Sequence, residues 1–218
     1  MDVRAATIDD ASVVAAEHPL PREGQARDRL YRRYYLLKTL LYTRAPMAGV
    51  ATGWIDDEMA GFVFYCEDMA RFRRFMRSAR SLAWICGVVL RGWFGWEVGF
   101  WGEALQWCRQ HFHRVRADDE GPSPAKDTAD EITSWVGTVH TVASFRRLGV
   151  ASHLLTAVED HLAERGDGKV ALWVASDNEP AQSLYYKRGY VRVNRVPRIG
   201  EECWLMVKRM RPGVASEE

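Results

Sequence analysis

The 218-residue sequence lacks three features: a long apolar run, an excess of one charge sign and a set of closely paired cysteines. Thirty basic residues balance 29 acidic residues, so the chain as a whole has no general attraction to nucleic acid. Apolar residues make up 47% of the chain, which excludes a disordered or collagen-like protein. Such a chain can bury one good-sized core.

The cysteines and the N-terminus give further exclusions. Cys66, Cys86, Cys108 and Cys203 are far apart in sequence and have no spacing typical of a zinc site or a redox dithiol, so we expect reduced thiols and no metal. The N-terminal residues carry acidic groups where a secretory signal has a basic start and an apolar run. We therefore expect a cytoplasmic protein.

No transmembrane helix is predicted. The uncharged stretch from Ser81 to Leu90 has ten residues, which is about half of what spans a bilayer.

The first third of the chain predicts a strand, two helices and a hairpin. The strand is expected at Val3 to Ile8, with Asp9 and Asp10 in helix-capping positions ahead of residues 11–17. A longer helix is expected from Arg22 to Arg44. Residues 49–55 and 59–65 then read as two strands joined by a polar turn.

The segment from about 68 to 116 has a different composition and is predicted to be a helical insert. Residues 71–116 hold nine arginines against two glutamates, together with five of the nine tryptophans. The following residues 117–130 contain five acidic residues, Gly121, Pro122 and Pro124, which is typical of an exposed loop. We expect one domain over residues 1–218 that carries this insert and loop.

The pattern after residue 131 is the clearest in the chain. It predicts a strand at 132–142, a helix at 149–165, a strand at 169–175, a short helix at 179–187 and strands at 190–196 and 203–210. The nearly continuous apolar run at 169–175 is typical of a buried strand with parallel pairing.

A short motif lies between the strand at 132–142 and its helix. Gly149 and the small residue Ala151 allow backbone N–H groups to approach an anion, and a helix N-terminus adds partial positive charge. The segment from Arg146 to Ser152 is therefore a candidate diphosphate cradle.

Two motifs together resemble the GNAT superfamily of acyl-CoA N-acyltransferases. The first, Arg, two residues, Gly, one residue, Ala, runs from Arg146 to Ala151. The second comprises Asn178, Ala181, Leu184, Tyr185, Gly189 and Tyr190. The clear resemblance covers residues 131–210, whereas residues 66–130 depart from the family's short connection. It implies an α/β fold of α+β type with a mixed, mostly antiparallel sheet, one splayed parallel strand pair and flanking helices.

The resemblance also implies where acetyl-CoA, the acyl donor, binds. Its diphosphate would contact the cradle residues Arg146, Arg147, Leu148, Gly149, Val150, Ala151 and Ser152. Its pantetheine arm would follow the predicted strand at Thr141 and Val142. Asn178 and Ala181 would flank the arm, and Tyr185 would face the sulfur.

Attack of an amine on a thioester needs a base, oxyanion donors and a proton for the thiolate. The resemblance implies Tyr185 as the general acid, and a backbone N–H near Val142 is the expected oxyanion donor. His140 is a candidate base, although strand alternation turns it away from Thr141. Glu131 and Glu202 are further candidate bases, and Trp135 stands where some relatives carry a glutamate.

The expected reaction is direct transfer of an acetyl group from acetyl-CoA to a primary amine of a small molecule or a peptide. Alternatives are transfer of a longer acyl group, or a GNAT-fold protein with little catalysis that binds a membrane or a peptide. Residues 71–116 can bind a membrane surface, bind a peptide or form a helical lid. We expect no binding of nucleic acid. A homodimer and the site of the acceptor are open, with Tyr31, Tyr34, Tyr35 and Tyr42 as candidate lining residues.

Overall fold

A computed structural model describes residues 1–18, 25–90, 132–166, 168–198 and 201–210. Seven strands form one sheet in the order β1-β2-β3-β4-β5-β7-β6. The strands are β1 (Asp2–Ala5), β2 (Ala48–Ile55), β3 (Glu58–Cys66), β4 (Ser134–Thr141), β5 (Lys169–Ala175), β6 (Val191–Arg198) and β7 (Glu201–Arg209). The helices are α1 (Ala11–Glu17), α2 (Gln25–Arg44), α3 (Met69–Met76), α4 (Ala79–Leu90), α5 (Val150–Glu164) and α6 (Glu179–Lys187).

The sheet is mixed and mostly antiparallel, which confirms the predicted fold class. Its parallel pair joins β4 to β5 through Ser134–Val170, Trp135–Ala171 and Val136–Leu172. On its other edge β5 pairs antiparallel with β7 along its whole length. The predicted parallel pairing of β5 is therefore correct for its first residues, and beyond Val136 the two strands separate.

The β2–β3 hairpin is confirmed. Asp56 and Asp57 form its turn with φ values of 51° and 63°, the left-handed conformation that a tight two-residue hairpin requires. Aspartate tolerates this conformation better than most residues do.

The contacts of Asp10 correct one prediction about the first helix and one about the first strand. It stands at the N-cap of α1, but its side chain makes no capping hydrogen bond. The carboxylate instead accepts hydrogen bonds from the N–H and hydroxyl of Thr7 and from both terminal nitrogens of Arg4. The chain is thus turned at Thr7, and the predicted strand to Ile8 ends at Ala5.

The two faces of the sheet carry different helices. Helices α5 and α6 pack on one face, which we name the cofactor face after the predicted acetyl-CoA site; the largest cluster of buried side chains among the described residues lies there and includes Leu154, Leu172 and Tyr190. Helices α1 and α2 pack on the opposite face, which we name the acceptor face after the candidate lining tyrosines of α2; Val14 and Tyr42 contact Phe62 and Phe64 there.

Several element boundaries differ from the prediction by one to three residues, because strand ends lack a strong local signal. Strand β4 begins at Ser134 instead of residue 132, and β6 and β7 run to Arg198 and from Glu201. Helix α2 is described from Gln25, and its predicted start at Arg22 lies outside the described residues.

The predicted insert is helical where the structure describes it. Asp68 is the N-cap of helix α3, and its carboxylate accepts a hydrogen bond from the N–H of Arg71 at 2.8 Å. Helix α4 follows α3 in the chain. Phe72 of α3 is buried against Tyr42 of α2, with ring centroids 4.7 Å apart. The remainder of the insert and the predicted loop at 117–130 lie outside the described residues.

Cys66 is a buried free thiol, and Cys203 is half-buried. Burial raises the pKa of the Cys66 thiol to about 12, so it stays protonated and unreactive. Within the described part of the chain, no helix is long and apolar enough to cross a membrane.

Candidate functional site

The loop between β4 and α5 has the geometry of an anion cradle. Arg147 and Gly149 both adopt left-handed conformations, with φ values of 67° and 80°. Gly149 is the N-cap of α5 and offers no side chain, so the N–H groups of Val150, Ala151 and Ser152 have neither a capping group nor an intrahelical acceptor. Such N–H groups at a helix start attract an anion.

The side chains around the cradle leave it accessible. Arg146, Arg147 and Leu148 are exposed, and 63% of the surface of Leu148 is accessible. Val150 is buried and anchors the first turn of α5 in the core on the cofactor face. The two arginines add positive charge beside the helix N-terminus, which favours an anion of high charge.

A buried ionic cluster fixes the position of α5. Glu159 is 4% exposed and accepts from Arg188 at 2.7 Å, from Lys208 and from the Tyr190 hydroxyl at 3.1 Å. Arg188 also donates to the carbonyl of Ser152 at 3.1 Å, one turn into the helix. The cluster therefore holds the cradle end of α5 against the end of α6 and β7.

Beyond Val136, the edge of β4 faces a gap left by β5. The N–H of Val142 donates to the carbonyl of Ala60 in β3 at 2.9 Å. Because hydrogen-bonded pairs alternate along antiparallel strands, the N–H groups of Val139 and Thr141 point to the gap instead.

This alternation shows which N–H groups near Val142 are open to the gap. The N–H of Val142 itself is occupied, so the donors available at the gap belong to Val139 and Thr141. Gly137 and Thr138 of β4 also stand opposite the single residue Phe64 of β3, a β-bulge that bends the strand where the gap opens.

The start of α6 lies at the end of β5. Asn178 caps the helix, its side-chain oxygen accepting from the N–H of Ala181 at 3.2 Å. Gln182, which is buried, donates to the carbonyls of Ala175 and Ser176 at 2.9 and 3.1 Å. Asn178 is exposed and Ala181 half-buried, and both are fixed at one side of the gap.

Tyr185 projects from α6 into the core on the cofactor face. It is 6% exposed, and its ring meets that of Tyr190 edge-on with centroids 5.7 Å apart. Burial raises the pKa of Tyr185 to about 12. The phenol is therefore fully protonated at neutral pH.

His140 lies on the acceptor face. Its ring centroid is 5.2 Å from that of Phe62, so the side chain points away from α5, as strand alternation predicted. Burial, with a smaller contribution from Arg146, lowers the pKa of His140 below its usual value. The imidazole is thus neutral at pH 7 and can accept a proton.

The same face carries a group of aromatic rings around a lysine. His18 stacks on Tyr35 with centroids 3.3 Å apart, and Lys38 Nζ lies 4.4 Å from the centroid of Phe64. Lys38 Nζ also donates to Thr138 Oγ1 of β4 at 3.2 Å. Burial lowers the pKa of Lys38 to about 8 and raises that of Tyr34 to about 12.

Glu202, a further candidate base, does not reach this region. Glu202 is exposed and pairs with Arg195 at the edge of the sheet, and Glu131 lies outside the described residues. Trp135, at the position where some relatives carry a glutamate, stacks on Trp173 with centroids 5.8 Å apart. No group of metal-ligating side chains occurs among the residues that the structure describes.

Sequence reasoning missed Lys38, Glu159, Gln182 and Arg188. Two of them had a signal in the sequence, since a charged residue interrupts an otherwise apolar helix stripe at each position. Lys38 lies between Tyr34 and Tyr42 at helical spacing, and Glu159 lies four residues after Leu155. A charge in such a stripe predicts a buried partner or a site.

Solved structures of acetyltransferases share this fold. PaiA N-acetyltransferase from Thermoplasma acidophilum, solved in complex with coenzyme A, has a TM-score of 0.53 at 12% identity, over 95% of this chain and 98% of its own. The ribosomal-protein-S18-alanine N-acetyltransferase from Escherichia coli gives 0.52 at 11% identity, over 100% and 98%. Ard1 from Thermoplasma volcanium gives 0.54 at 16% identity, over 96% and 97%.

At these identities the structures show a common fold and leave the substrate open. No curated protein sequence matches the chain. The model of the acetyltransferase (GNAT) family, however, matches residues 15–190, which include the cradle, the gap between β4 and β5, and helix α6. This match covers most of the chain, and the protein belongs to the GNAT acetyltransferase family.

Proposed function

We propose that the protein transfers an acetyl group from acetyl-CoA to a primary amine. The observation that carries this proposal is the cradle at Arg146–Ser152 placed beside the gap between β4 and β5. A diphosphate fits free N–H groups at a helix start, and an extended arm with amide groups fits an unpaired strand edge.

The residues that would hold acetyl-CoA follow from this geometry. The N–H groups of the cradle, with Arg146 and Arg147, would bind its diphosphate. The N–H of Thr141, the one nearer the cradle, would bind a pantetheine amide, with Asn178 and Ala181 on the far side of the arm, and the N–H of Val139 would face the acetyl carbonyl. When bound, acetyl-CoA supplies an acetyl thioester, whose carbonyl carbon is open to a nucleophile.

In the transfer, an N–C bond forms as the C–S bond breaks. The amine loses a proton to a base and the departing thiolate gains one. An N–H of the β4 edge is the oxyanion donor, and such a donor contributes about 3 kcal/mol to lowering the barrier.

Tyr185 is the proposed proton donor to the thiolate. It keeps its proton at every physiological pH, because burial raises its pKa to about 12. A thiol has a reference pKa of about 8.5, so full proton transfer would be uphill by about 5 kcal/mol. Bound substrate must therefore stabilise the phenolate, or Tyr185 acts by donating a strong hydrogen bond to the sulfur.

His140 is the proposed base. It faces the acceptor side, its imidazole is neutral at pH 7, and its lowered pKa extends the basic form to more acidic conditions. Replacing it with Asn should flatten the acid limb of the pH–rate profile. An unchanged acid limb would assign proton removal to another group.

The described helices of the insert support enclosure of the acceptor. Phe72 of α3 packs on Tyr42 of α2, and Arg44 lies 4.5 Å from the ring centroid of Trp84 in α4. These contacts tie the start of the insert to the helix that flanks the acceptor face. We propose that residues 68–116 belong to the same acyltransferase domain, with α3 and α4 covering part of this face.

The donor assignment is tested by thermal stability. Acetyl-CoA should raise the melting temperature more than an equal concentration of free adenine nucleotide does, because only the full donor occupies both cradle and gap. Equal shifts would contradict the donor assignment. Acetyl-CoA and longer acyl-CoA donors compared in one CoA-release assay then decide the acyl length.

A further inference from the structure

Lys38 occupies an unusual position for a cation. Its ammonium lies 4.4, 5.9 and 6.0 Å from the ring centroids of Phe64, Tyr35 and Tyr42. In the described part of the chain no carboxylate pairs with it, and its hydrogen bond goes to Thr138 Oγ1.

This environment leaves the ammonium with unused binding capacity. A lysine ammonium has three donors, and one of them is satisfied by Thr138. The rings contribute some cation–π attraction, but a poorly solvated cation without a counter-ion is costly. Because its lowered pKa is still above 7, most Lys38 side chains remain charged at neutral pH.

The position of Thr138 places this charge at the proposed reaction site. Thr138 follows the last β4 residue that pairs with β5, Val136, by two positions, and it precedes Val139, whose N–H points to the gap. His140, the proposed base, shares the acceptor face with Thr138. A molecule that enters along α2 toward the gap therefore passes the ammonium of Lys38.

A purely cationic amine would be repelled at this point, since like charges within a few ångströms in a poorly solvated site cost several kcal/mol. An amine that also carries a negative group would gain an ion pair there and keep its amine free for attack. The flat rings of Tyr35, Tyr42 and Phe64 offer apolar walls for the atoms between the two groups.

We propose that the acceptor is a small amine bearing an anionic oxygen group, a carboxylate or a phosphate, and that Lys38 is the residue that binds this group. The inference rests on the proposed acetyl transfer and names the class of its acceptor.

Matched acceptor pairs test the inference with acetyl-CoA as donor. The carboxylate arm compares β-alanine with β-alaninamide and phenylalanine with phenethylamine, and the phosphate arm compares phosphoethanolamine with ethanolamine. In at least one arm we expect kcat/KM to be tenfold or more higher for the anionic member. The arm with the larger ratio identifies the anionic group.

Variants then assign the preference to Lys38. Lys38→Met keeps the length of the side chain, suits the aromatic surroundings and should reduce the ratio to about one, mainly by raising KM for the anionic member. Lys38→Arg keeps the charge and should retain part of the ratio. Lys187→Met, at the exposed end of α6, is the matched control and should keep the full ratio.

Acetyl-CoA-dependent thermal stabilisation should be the same in all four proteins, which shows that each is folded and binds the donor. Equal kcat/KM within every pair overturns the inference and leaves amine acetylation standing. So does an equal loss of kcat for both members in Lys38→Met, which would make Lys38 a base instead. CoA release from no member of any pair overturns the proposed function as well.

Discussion

The cofactor face and the acceptor face of the sheet are stabilised by different interactions. On the cofactor face, a buried carboxylate, Glu159, joins Arg188, Lys208 and Tyr190 and fixes α5. On the acceptor face, aromatic rings surround a single lysine. Hydrogen-bonded ion pairs have fixed directions, so they hold α5 and the proposed diphosphate site at its start in one position. The rings and the single cation of the acceptor face set only the shape and the charge of the proposed acceptor.

The largest expected effect is a loss of stability when the buried carboxylate of the cofactor face, Glu159, is replaced. Glu159→Gln removes a buried carboxylate, leaves two half-buried cations without a counter-charge and should lower the free energy of unfolding by about 3 kcal/mol. Chemical denaturation measures this change. Glu164→Gln, at the exposed end of the same helix, should change it by less than about 0.5 kcal/mol. Similar losses in both variants would show that the cluster does not stabilise α5.

Asp10, at the start of α1 on the acceptor face, is a second carboxylate held by hydrogen bonds, and its contribution to the stability of the fold should depend on pH. Hydrogen bonds from Arg4 and Thr7 hold the pKa of Asp10 well below its usual range. Its stabilisation is therefore present above about pH 4, the unfolded value, and is lost as the pH falls through the lower folded value.

Asp10→Asn should consequently cost about 2 kcal/mol at pH 7 and much less at pH 2, as measured by denaturant unfolding at each pH. Asp9→Asn is the exposed control and should be close to neutral at both values. A cost that is the same at both pH values would contradict the ion-pair explanation.

A third prediction concerns the turnover number and the role of Tyr185 on the cofactor face. Tyr185→Phe should lower kcat at least tenfold, or about 1.4 kcal/mol, because it removes the proposed proton donor and keeps the ring. The affinity for acetyl-CoA should be nearly unchanged. The adjacent exposed Tyr186→Phe should keep full turnover. Wild-type turnover in Tyr185→Phe would remove this residue from the mechanism.

The smallest effect concerns the cradle. Gly149→Ala puts a side chain on a left-handed residue, which costs about 1 kcal/mol, and should weaken acetyl-CoA binding by shifting the nearby N–H groups. Isothermal titration measures the affinity. Gly168→Ala has open space around its Cβ position and should bind as the wild type does. Unchanged affinity in Gly149→Ala would argue against a cradle at this loop.

Local sequence signals predicted the cofactor half of the molecule well. Strand β5 and helix α6 have the predicted bounds, since an apolar run and an asparagine cap followed by a closing glycine are strong short-range signals. Gly166 and Gly189 have the left-handed conformations that close the C-terminal ends of α5 and α6. The family's two motifs lie in this half.

The acceptor half was predicted less completely, because its contacts join residues distant in sequence. The hydrogen bond from Lys38 to Thr138 links positions 100 residues apart, and the ring of His18 meets Phe62. No local pattern encodes such pairs. Asp10 likewise has the residue type of a helix cap, yet Arg4 and Thr7 offer its carboxylate better partners.

The sequence by itself determined the order of strands and helices along the chain and the position of the glycine loop before α5, because periodicity, glycine conformation and helix starts depend on neighbouring residues. It also determined the family. The tertiary structure decided which β4 N–H groups are free, how Glu159 is neutralised and where Lys38 lies. Pairing register and burial set these features, and both arise only when distant segments of the chain pack together.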